Sequence, residues 1–223
     1  MHQRKGKKIF FYFFLLILVG SINNFKFDSS EFIKIKTIKV SGLDKKNNKN
    51  ISLRLVNLYF QNIFTINSYD LIKKIESNKL IEKYKITKIY PSTIDIKLKK
   101  TNFLAKLKKE EKIYVVGTNG KLLDNNQLNL EIPFIFGNPQ VEQILELKKI
   151  IDKSEFSFSK IKNLYYFQSK RWDMELENNT IIKLPKENIN EAINLIVKLM
   201  KNKNLEKVKV FDARIKNQII LND

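Results

Sequence analysis

An uninterrupted apolar run near the start of the chain differs from every later part of the sequence. Residues 9–19 are all aliphatic or aromatic, residues 20–22 extend the run, and Arg4, Lys5, Lys7 and Lys8 precede it. A helix that is apolar on all sides is typical of a membrane segment, and basic residues on one flank keep that flank in the cytoplasm. The pattern predicts a cytoplasmic basic tail over residues 1–8 and a transmembrane anchor over residues 9–26.

The length of this run leaves a second interpretation open. A helix over residues 9–22 spans roughly 21 Å, whereas the hydrocarbon core of a bilayer is about 30 Å thick. The apolar region of a cleaved signal peptide has about 7–15 residues and fits this length. No Ala-x-Ala-like cleavage site follows the run, however. Lys7 and Lys8 can extend to one interface, and Phe25 and Phe27 can lie at the other, which favours the anchor.

The pattern over residues 33–102 predicts a small domain with the order β-α-α-β-β. Ile94, Ile96 and Leu98 alternate strictly with charged residues, which indicates a half-buried strand. Polar residues over 44–50 are expected to end the first strand. In chain order the predicted elements are a strand at 32–42, a helix with its stripe from Ile51, a helix with Ser68 as its N-cap, and strands around 84–90 and 94–98.

Residues 103–223 predict a second domain that is richer in strands. Asn119-Gly120 is the best short hairpin signal in the chain. Trp172 belongs to a strand whose apolar side chains alternate with acidic ones, so it is expected in the core. The predicted strands are near 113–116, 122–123, 132–137, 164–167, 172–176, 182–184, 208–211 and 217–221, and the predicted helices are 139–153 and 189–199. The fold class is therefore α+β.

The last apolar stretch predicts an exposed edge strand. Ile219 and Leu221 should face one side of the sheet and Ile220 the other, because strand side chains alternate. An edge strand presents unpaired backbone N–H and C=O groups, which can accept a strand from a partner. The stretch is therefore a candidate binding site.

The charge of the chain has two explanations. The formal net charge is +19, from 42 basic and 23 acidic residues, and only four of the basic residues are arginines. Such a charge favours anionic membranes or nucleic acid. Base readout and bidentate phosphate contacts favour arginine, however, and Lys, Ile and Asn, which are all abundant here, share A/T-rich codons. We expect no specific nucleic-acid partner, and codon bias remains a sufficient explanation of the charge.

The residue types needed for catalysis are scarce. The chain has no cysteine and one histidine, His2. Ser68 has no histidine to activate it as a nucleophile, and Asp152 and Glu155 fit a solvated helix end better than an acid/base pair. Asp212 and Arg214 share a strand face, which fits a structural ion pair as well as a functional site. The sequence predicts no enzyme activity, no cofactor, no metal and no small-molecule substrate.

Several local motifs, taken in order, resemble one known family. The Trp-Asp strand at 171–179 and the Leu184-Pro185 that follows it are the most specific of them. The other matching segments are 38–42 (Ile-Lys-Val-Ser-Gly), 90–96 (Tyr-Pro-Ser-Thr-Ile-Asp-Ile), 116–120 (Val-Gly-Thr-Asn-Gly), 132–137 (Ile-Pro-Phe-Ile-Phe-Gly) and 211–214 (Phe-Asp-Ala-Arg). With the basic tail and apolar segment, the chain resembles the FtsQ/DivIB family of bacterial cell-division membrane proteins. It departs from the family pattern at residues 100–105, at Asn179 and at Ala213.

The resemblance implies an architecture and a role. The expected parts are a POTRA domain over residues 33–102 and a β domain over residues 103–223. The implied function is a non-enzymatic, single-pass scaffold in the bacterial inner membrane at the division septum, with its N-terminus cytoplasmic and its bulk periplasmic. The implied partners are small coiled-coil division proteins of the FtsB/DivIC and FtsL type. The expected contact strip is Arg214, Ile215, Gln218, Ile219 and Ile220.

The resemblance also gives the POTRA domain a role in recruitment to the division site. Lys97 and Lys99 lie on the polar face of its last strand and are candidates for that docking surface. The alternative function is a periplasmic POTRA-type chaperone or an assembly module for envelope proteins. An outer-membrane assembly factor would need a β-barrel of at least about eight strands, for which residues 103–223 barely suffice.

Overall fold

A computed structural model describes residues 5–22, 29–124, 130–202, 205, 207–216 and 218–222. The rest of the predicted tail and anchor, at residues 1–4 and 23–26, lies outside the described residues, as do Phe27 and, in the last predicted strand, Asn217. The chain folds into two compact units. The first is Met1–Leu71 with Ile86–Lys97, and the second is Ile72–Lys85 with Leu98–Asp223.

Helix α1, Lys5–Ile22, contains the apolar run found in the sequence. The large side chains from Ile9 to Val19 are 46–75% exposed. Over the described residues, no helix meets the length and hydropathy that are needed to cross a membrane.

The elements between residues 29 and 100 follow the predicted β-α-α-β-β order after a short first helix. Strand β3 is central in a three-stranded sheet of order β1-β3-β2, and β1 runs parallel to it, with Val40 opposite Ile96. The predicted alternation in β3 is confirmed, since Ile94, Ile96 and Leu98 are all buried. The elements are α2 Ser29–Phe32, β1 Thr37–Ser41, α3 Lys45–Arg54, α4 Ser68–Glu76, β2 Ile81–Ile89 and β3 Thr93–Lys100.

One helix start and one capping residue differ from the sequence prediction. Helix α3 begins at Lys45, within the polar stretch expected to end the first strand and before the predicted stripe from Ile51. The Asp44 side chain accepts a hydrogen bond from the Asn47 backbone N–H at 3.0 Å. Helix α4 does begin at Ser68, but Ser68 is not its cap. The Asn67 side chain takes that role and accepts from the Tyr69 N–H at 3.0 Å. Such caps satisfy amide groups that have no partner within the helix.

The second part of the chain forms a mixed nine-stranded sheet with two helices. The strand order is β12-β11-β10-β9-β8-β7-β4-β5-β6. Strand β4 is not among the predicted elements; it pairs with both β5 and β7. The elements are β4 Phe103–Lys109, β5 Lys112–Gly117, β6 Leu122–Asp124, β7 Phe134–Phe136, α5 Val141–Asp152, β8 Ile161–Tyr166, β9 Trp172–Leu176, β10 Ile181–Lys183, α6 Ile189–Met200, β11 Val210–Asp212 and β12 Ile220–Asn222.

One row of apolar side chains crosses this sheet from β4 to β12. Neighbouring residues in register along the row are Leu107, Ile135, Leu164, Met174, Ile182, Phe211 and Leu221. The row packs in one core with the buried faces of α5 and α6, and the predicted core residue Trp172 belongs to the same core. Burial of this row fixes the register, because a slip of one residue would place the apolar side chains on the opposite face.

Two of the positive backbone φ angles in the turns of this sheet account for the residue type found there. Gly137 ends β7 with φ of 99°, and a Cβ there would lie 2.2 Å from the backbone oxygen of Tyr166. Only glycine fits at this close approach. Asn179, between β9 and β10, has φ of 62°. Asparagine tolerates this region better than most residues, which explains how it can occupy this turn.

A hydrogen-bonded network surrounds the start of the second part. We call Glu82, Thr101, Thr118, Asn119 and Lys121 the junction network; all five residues belong to the second compact unit. The hydroxyls of Thr101 and Thr118 donate to the Glu82 carboxylate at 2.8 Å and 2.7 Å. Thr101 is 2% exposed, so its polar atom needs these partners.

The turn between β5 and β6 completes the network. The Asn119 side-chain amide donates to the backbone oxygens of Lys79 and Ile81, at 2.9 Å each. The Lys121 ammonium donates to the backbone oxygen of Glu76 at 2.6 Å. The predicted hairpin at Asn119-Gly120 therefore both turns the chain and binds it to residues about 40 positions earlier.

Candidate functional site

Strand β12 lies at one edge of the nine-stranded sheet. It runs antiparallel to β11, and Asn222 lies opposite Val210, Leu221 opposite Phe211 and Ile220 opposite Asp212. Within the part of the chain that the structure describes, no strand pairs with its other side. The unpaired backbone groups of this side can hydrogen-bond an added strand.

The side chains of the last strand divide between the core and the solvent. Ile219 and Leu221 are partly buried against the hydrophobic core, whereas Ile220 is 45% exposed on the opposite face. This alternation is the one expected from the sequence. The unpaired backbone groups with which an added strand would pair therefore lie beside the exposed apolar side chain of Ile220.

A row of charged side chains crosses the outer face of the sheet and ends at Ile220. Asp173 on β9, Lys183 on β10 and Asp212 on β11 are neighbours in register, and Asp212 is opposite Ile220. Both carboxylates are mostly buried, at 6% and 7% exposure. Opposite charges alternate along this row, so each carboxylate has a cation beside it.

Arg214 holds Asp212 in a fixed orientation. The Arg214 Nε donates to both carboxylate oxygens of Asp212 at 2.7 Å and 2.9 Å, and the Arg214 backbone N–H donates to Oδ1 at 3.1 Å. These bonds lower the pKa of Asp212, and the Arg214 side chain chiefly supplies them. The two residues form a structural ion pair, and the guanidinium, whose side chain is 43% exposed, remains accessible to an acidic group.

Asp173 and Glu175 on β9 have pKa shifts of opposite sign. Burial raises the pKa of Asp173, although Arg171 bonds to it at 3.3 Å and opposes the effect. Hydrogen bonds from Asn163 and then Tyr165 lower the pKa of Glu175 to about 2. Glu175 is therefore fully ionised at neutral pH and anchors the polar face of the sheet.

A cavity of about 390 Å³ opens beside the edge strand. One wall is formed by the segment between β11 and β12, including Arg214, Ile215, Gln218 and Ile219. The opposite wall comes from helix α6, whose Leu195 is 44% exposed. The cavity is thus lined by apolar and charged groups and can hold side chains of a bound segment.

The structure brings the five predicted contact residues together. Four of them line the cavity, and Ile220 follows directly on β12; these residues are Arg214, Ile215, Gln218, Ile219 and Ile220. Sequence reasoning missed the second wall, because it predicted the helix over 189–199 without placing it at the binding site. Leu195 lies outside the apolar stripe of that helix, which is the signal that could have identified it.

Other candidate groups lie outside this site. Asp152 pairs with Lys148, and Glu155 pairs with Lys201 through side chains that are 72% and 66% exposed. Among the described residues, no group of three or more acidic, His or Cys side chains is placed to hold a metal ion.

Two family models match most of the chain. The POTRA domain, FtsQ-type, matches residues 33–100. The C-terminal domain of cell division protein FtsQ/DivIB matches residues 104–214. A solved structure, the major extracytoplasmic domain of DivIB from Geobacillus stearothermophilus, aligns at 12% identity over 41% of this chain and 84% of that chain. Its TM-score of 0.32 is too low to compare the two folds.

Curated proteins with similar sequences are also named DivIB and FtsQ. DivIB of Bacillus subtilis (strain 168) is 29% identical over 114 residues, which are 51% of this chain and 41% of that protein. FtsQ of Rhizobium radiobacter is 22% identical over 131 residues, which are 57% of this chain and 61% of that protein. The chain therefore covers less than two thirds of the length of either relative. Since the two family models together span nearly all of residues 33–214, the resemblance is confirmed and the chain belongs to the FtsQ/DivIB family of cell division proteins.

Proposed function

We propose that this chain is a non-enzymatic membrane scaffold of the bacterial division machinery. It binds other division proteins through its periplasmic part, mainly by strand addition at β12. By family resemblance, the partners are small coiled-coil proteins of the FtsB/DivIC and FtsL type, and the site of action is the septum.

The observation that carries the proposal is the open edge at β12. Strand addition gains affinity from backbone hydrogen bonds and specificity from pockets for alternate side chains. Both elements are present: the outer side of β12 is unpaired among the described residues, and the cavity lies beside it. Ile215 and Ile220 add exposed apolar surface, at 51% and 45% exposure.

The charge of the site fits a segment with acidic residues. Arg214 and Lys216 line the cavity, and both are exposed, while Glu187 and Glu191 on the other wall balance part of that charge. A partner that places a carboxylate near Arg214 gains a charge-assisted hydrogen bond, which is stronger than a neutral one.

The membrane part of the proposal depends on the apolar surface of α1. The side chains of residues 9–19 are exposed, and burying them in lipid removes a large apolar area from water. Lysines precede these residues in the sequence, so the positive-inside rule directs the N-terminus to the cytoplasm and the residues after α1 to the periplasm.

We also propose that the polar face of β3 contributes to recruitment. Lys97 and Lys99 are exposed on that strand and carry the charge expected of a docking surface for an acidic partner. Charge reversal of both residues should reduce septal localisation of a fluorescent fusion, with the membrane level of the protein unchanged. Unaltered localisation would exclude this face as the recruiting surface.

Site-specific photo-crosslinking in dividing cells tests the binding edge. A photoreactive residue is introduced at Ile220 or, one residue earlier, at Ile219. The matched control is Ile113 on β5, which is 42% exposed, against 45% for Ile220. We expect a division protein of the coiled-coil type to be captured from position 220 and not from position 113. Equal capture from both positions would contradict binding at β12.

A further inference from the structure

Two exposed aromatic side chains of the first compact unit stack on each other. The rings of Phe64 and Tyr90 stack with their centroids 4.8 Å apart and their planes at 17°. Both side chains are more than half exposed, at 58% and 57%. Phe60, four residues before Phe64, is 75% exposed, and Ile89, next to Tyr90 in the sequence, is 47% exposed. We call Phe60, Phe64, Ile89 and Tyr90 the aromatic patch. A stacked aromatic pair that remains in water is typical of a docking surface.

Backbone hydrogen bonds explain why residues from two distant turns meet in this patch. Residues 33–36 lie between the two turns. The N–H of Ile35 donates to the backbone oxygen of Gln61 at 2.9 Å, and the N–H of Ile63 donates to that of Ile33 at 2.9 Å. The N–H of Lys36 donates to the backbone oxygen of Ser92 at 2.9 Å. Backbone pairing therefore holds the two turns on either side of residues 33–36, where Phe64 and Tyr90 stack.

The same segment links helix α1 to the rest of the first unit. Residues 33–36 are the first paired stretch after α2, and eleven positions separate Ile33 from Ile22 at the end of α1. A chain of that length spans at most roughly 40 Å, because each residue adds no more than about 3.6 Å. Any surface that holds α1 is consequently within reach of the patch at a high effective concentration.

The charge around the patch identifies the class of surface. Residues 33–100 contain sixteen basic and five acidic residues. The three segments that build the patch, 33–36, 59–65 and 86–92, contain Lys34, Lys36 and Lys88 and no acidic residue. Aromatic side chains next to lysines are typical of segments that lie at the headgroup level of a bilayer with anionic lipids. A second copy of the chain fits less well, because two such surfaces would repel each other.

We infer that the aromatic patch, together with Lys34, Lys36 and Lys88, docks the first unit on the anionic outer surface of the bilayer that holds α1. This inference rests on the proposed anchoring by α1. Docking would orient the unit on the membrane and limit the directions in which it can present its other faces.

Lipid-dependent quenching on the full-length chain tests the inference. The chain has no cysteine, so a single one can be introduced at Phe64 and labelled with an environment-sensitive fluorophore. The matched control is Tyr69 on α4 of the same unit, which is 70% exposed. In vesicles of phosphatidylglycerol and brominated phosphatidylcholine, we expect a blue shift and loss of intensity at position 64 and neither change at position 69.

Charge reversal provides the second arm of the test. Each lysine near an anionic surface strengthens binding about fivefold, so Lys36→Glu with Lys88→Glu should release the unit and abolish the quenching at position 64. Reversal of Lys45 and Lys46, which lie at the start of α3, is the matched control and should leave the quenching unchanged. An equal response to both pairs of substitutions would overturn a local role of the patch.

Vesicle flotation separates this inference from the anchoring on which it rests. Failure of the chain to float with the vesicles would overturn the anchor and, with it, the docked arrangement. Flotation without lipid quenching at position 64 would overturn the docking alone. Quenching that depends on protein density instead of lipid charge would assign the patch to self-association and would also overturn the inference.

Discussion

The two ends of the nine-stranded sheet both finish in a three-residue strand, yet they differ in what holds the adjoining turn. At the β6 end, the turn before the strand is bound through Asn119 and Lys121 to backbone oxygens of residues 76–81. At the β12 end, the turn before the strand borders a cavity. Within the described residues, the exposed side chains of Lys216 and Gln218 make no hydrogen bond there, and the apolar side chain of Ile215 is 51% exposed. We call these the junction end and the open end.

This difference shows that the position of a strand at the edge of a sheet does not by itself make it a binding site. A turn that is bound to the rest of its own unit adds to stability, because its polar groups are already satisfied. A turn whose polar and apolar groups stay in contact with water can still form hydrogen bonds and apolar contacts with a partner. The contrast leads to opposite expectations for substitutions at the two ends.

The largest expected effect is on partner binding at the open end. Ile220→Glu places a charge where an added strand would pack and should weaken binding of the proposed coiled-coil partner at least 30-fold, or about 2 kcal/mol. Ile113→Glu, at a position with matched exposure on β5, should leave the affinity unchanged. Both variants should keep their stability, because the side chains are exposed. Affinity is measured by titration of the purified partner, and an equal loss in both variants would contradict the comparison.

The next effect is on stability at the junction end. Asn119→Ala removes two hydrogen bonds to backbone oxygens and should lower the free energy of unfolding by about 2–3 kcal/mol. Asn138→Ala, at an exposed position with no side-chain hydrogen bond among the described residues, is the control and should change it by less than about 0.5 kcal/mol. Urea denaturation measures both. Loss of partner affinity in folded Asn119→Ala would mean that the junction end also takes part in binding.

Several features of the fold and of the two sheet ends could be predicted from local sequence patterns. The strict alternation of Ile94, Ile96 and Leu98 gave the buried face of β3, and Asn119-Gly120 gave the hairpin. The alternation at the last strand also placed Ile220 on the face away from the core. These features depend on neighbours in sequence, so they can be recognised without the tertiary structure.

The features that could not be predicted depend on distant residues. Strand β4 has its apolar positions mixed with lysines, and it is stabilised by pairing with β5 on one side and β7 on the other. The bonds of Asn119 reach residues 38 and 40 positions away. The second wall of the cavity could not be predicted without knowing where α6 lies relative to β11 and β12. No periodicity in the sequence encodes such contacts.

A smaller loss of stability is expected when the ion pair between Asp212 and Arg214 at the open end is removed. The lowered pKa of Asp212 means that folding favours its carboxylate, so it contributes stability above the ordinary carboxyl pKa of about 4. This contribution is lost as the pH falls through the lower pKa of the folded state. Asp212→Asn should therefore reduce stability at pH 7 and flatten its dependence on pH below about 4.

The measurement compares urea midpoints of the parent chain and Asp212→Asn between pH 7 and pH 3. We expect a decrease at pH 7 that is less than half of the decrease in Asn119→Ala, since the Arg214 side chain is partly exposed and solvent weakens the pair. Glu175→Gln is the control for other carboxylates that titrate in the same range, because the pKa of Glu175 is lowered to about 2. An unchanged pH profile in Asp212→Asn would show that the pair adds no stability.

The smallest change in stability is expected from a substitution of Asp173, which lies two strands away from Asp212 in the same charged row. Its pKa is raised because burial disfavours the carboxylate, and this outweighs the opposing effect of Arg171. A carboxyl whose pKa is raised on folding contributes most below its unfolded pKa, and stability declines as the pH rises through the folded value. At pH 7, Asp173→Asn removes a charge that folding disfavours and keeps the shape of the side chain. We therefore expect no loss and a slight gain in the urea midpoint, in contrast to the decrease in Asp212→Asn. A decrease in both variants would mean that the pairing with Arg171 outweighs burial, and that the row stabilises the sheet along its whole length instead of at the open end alone.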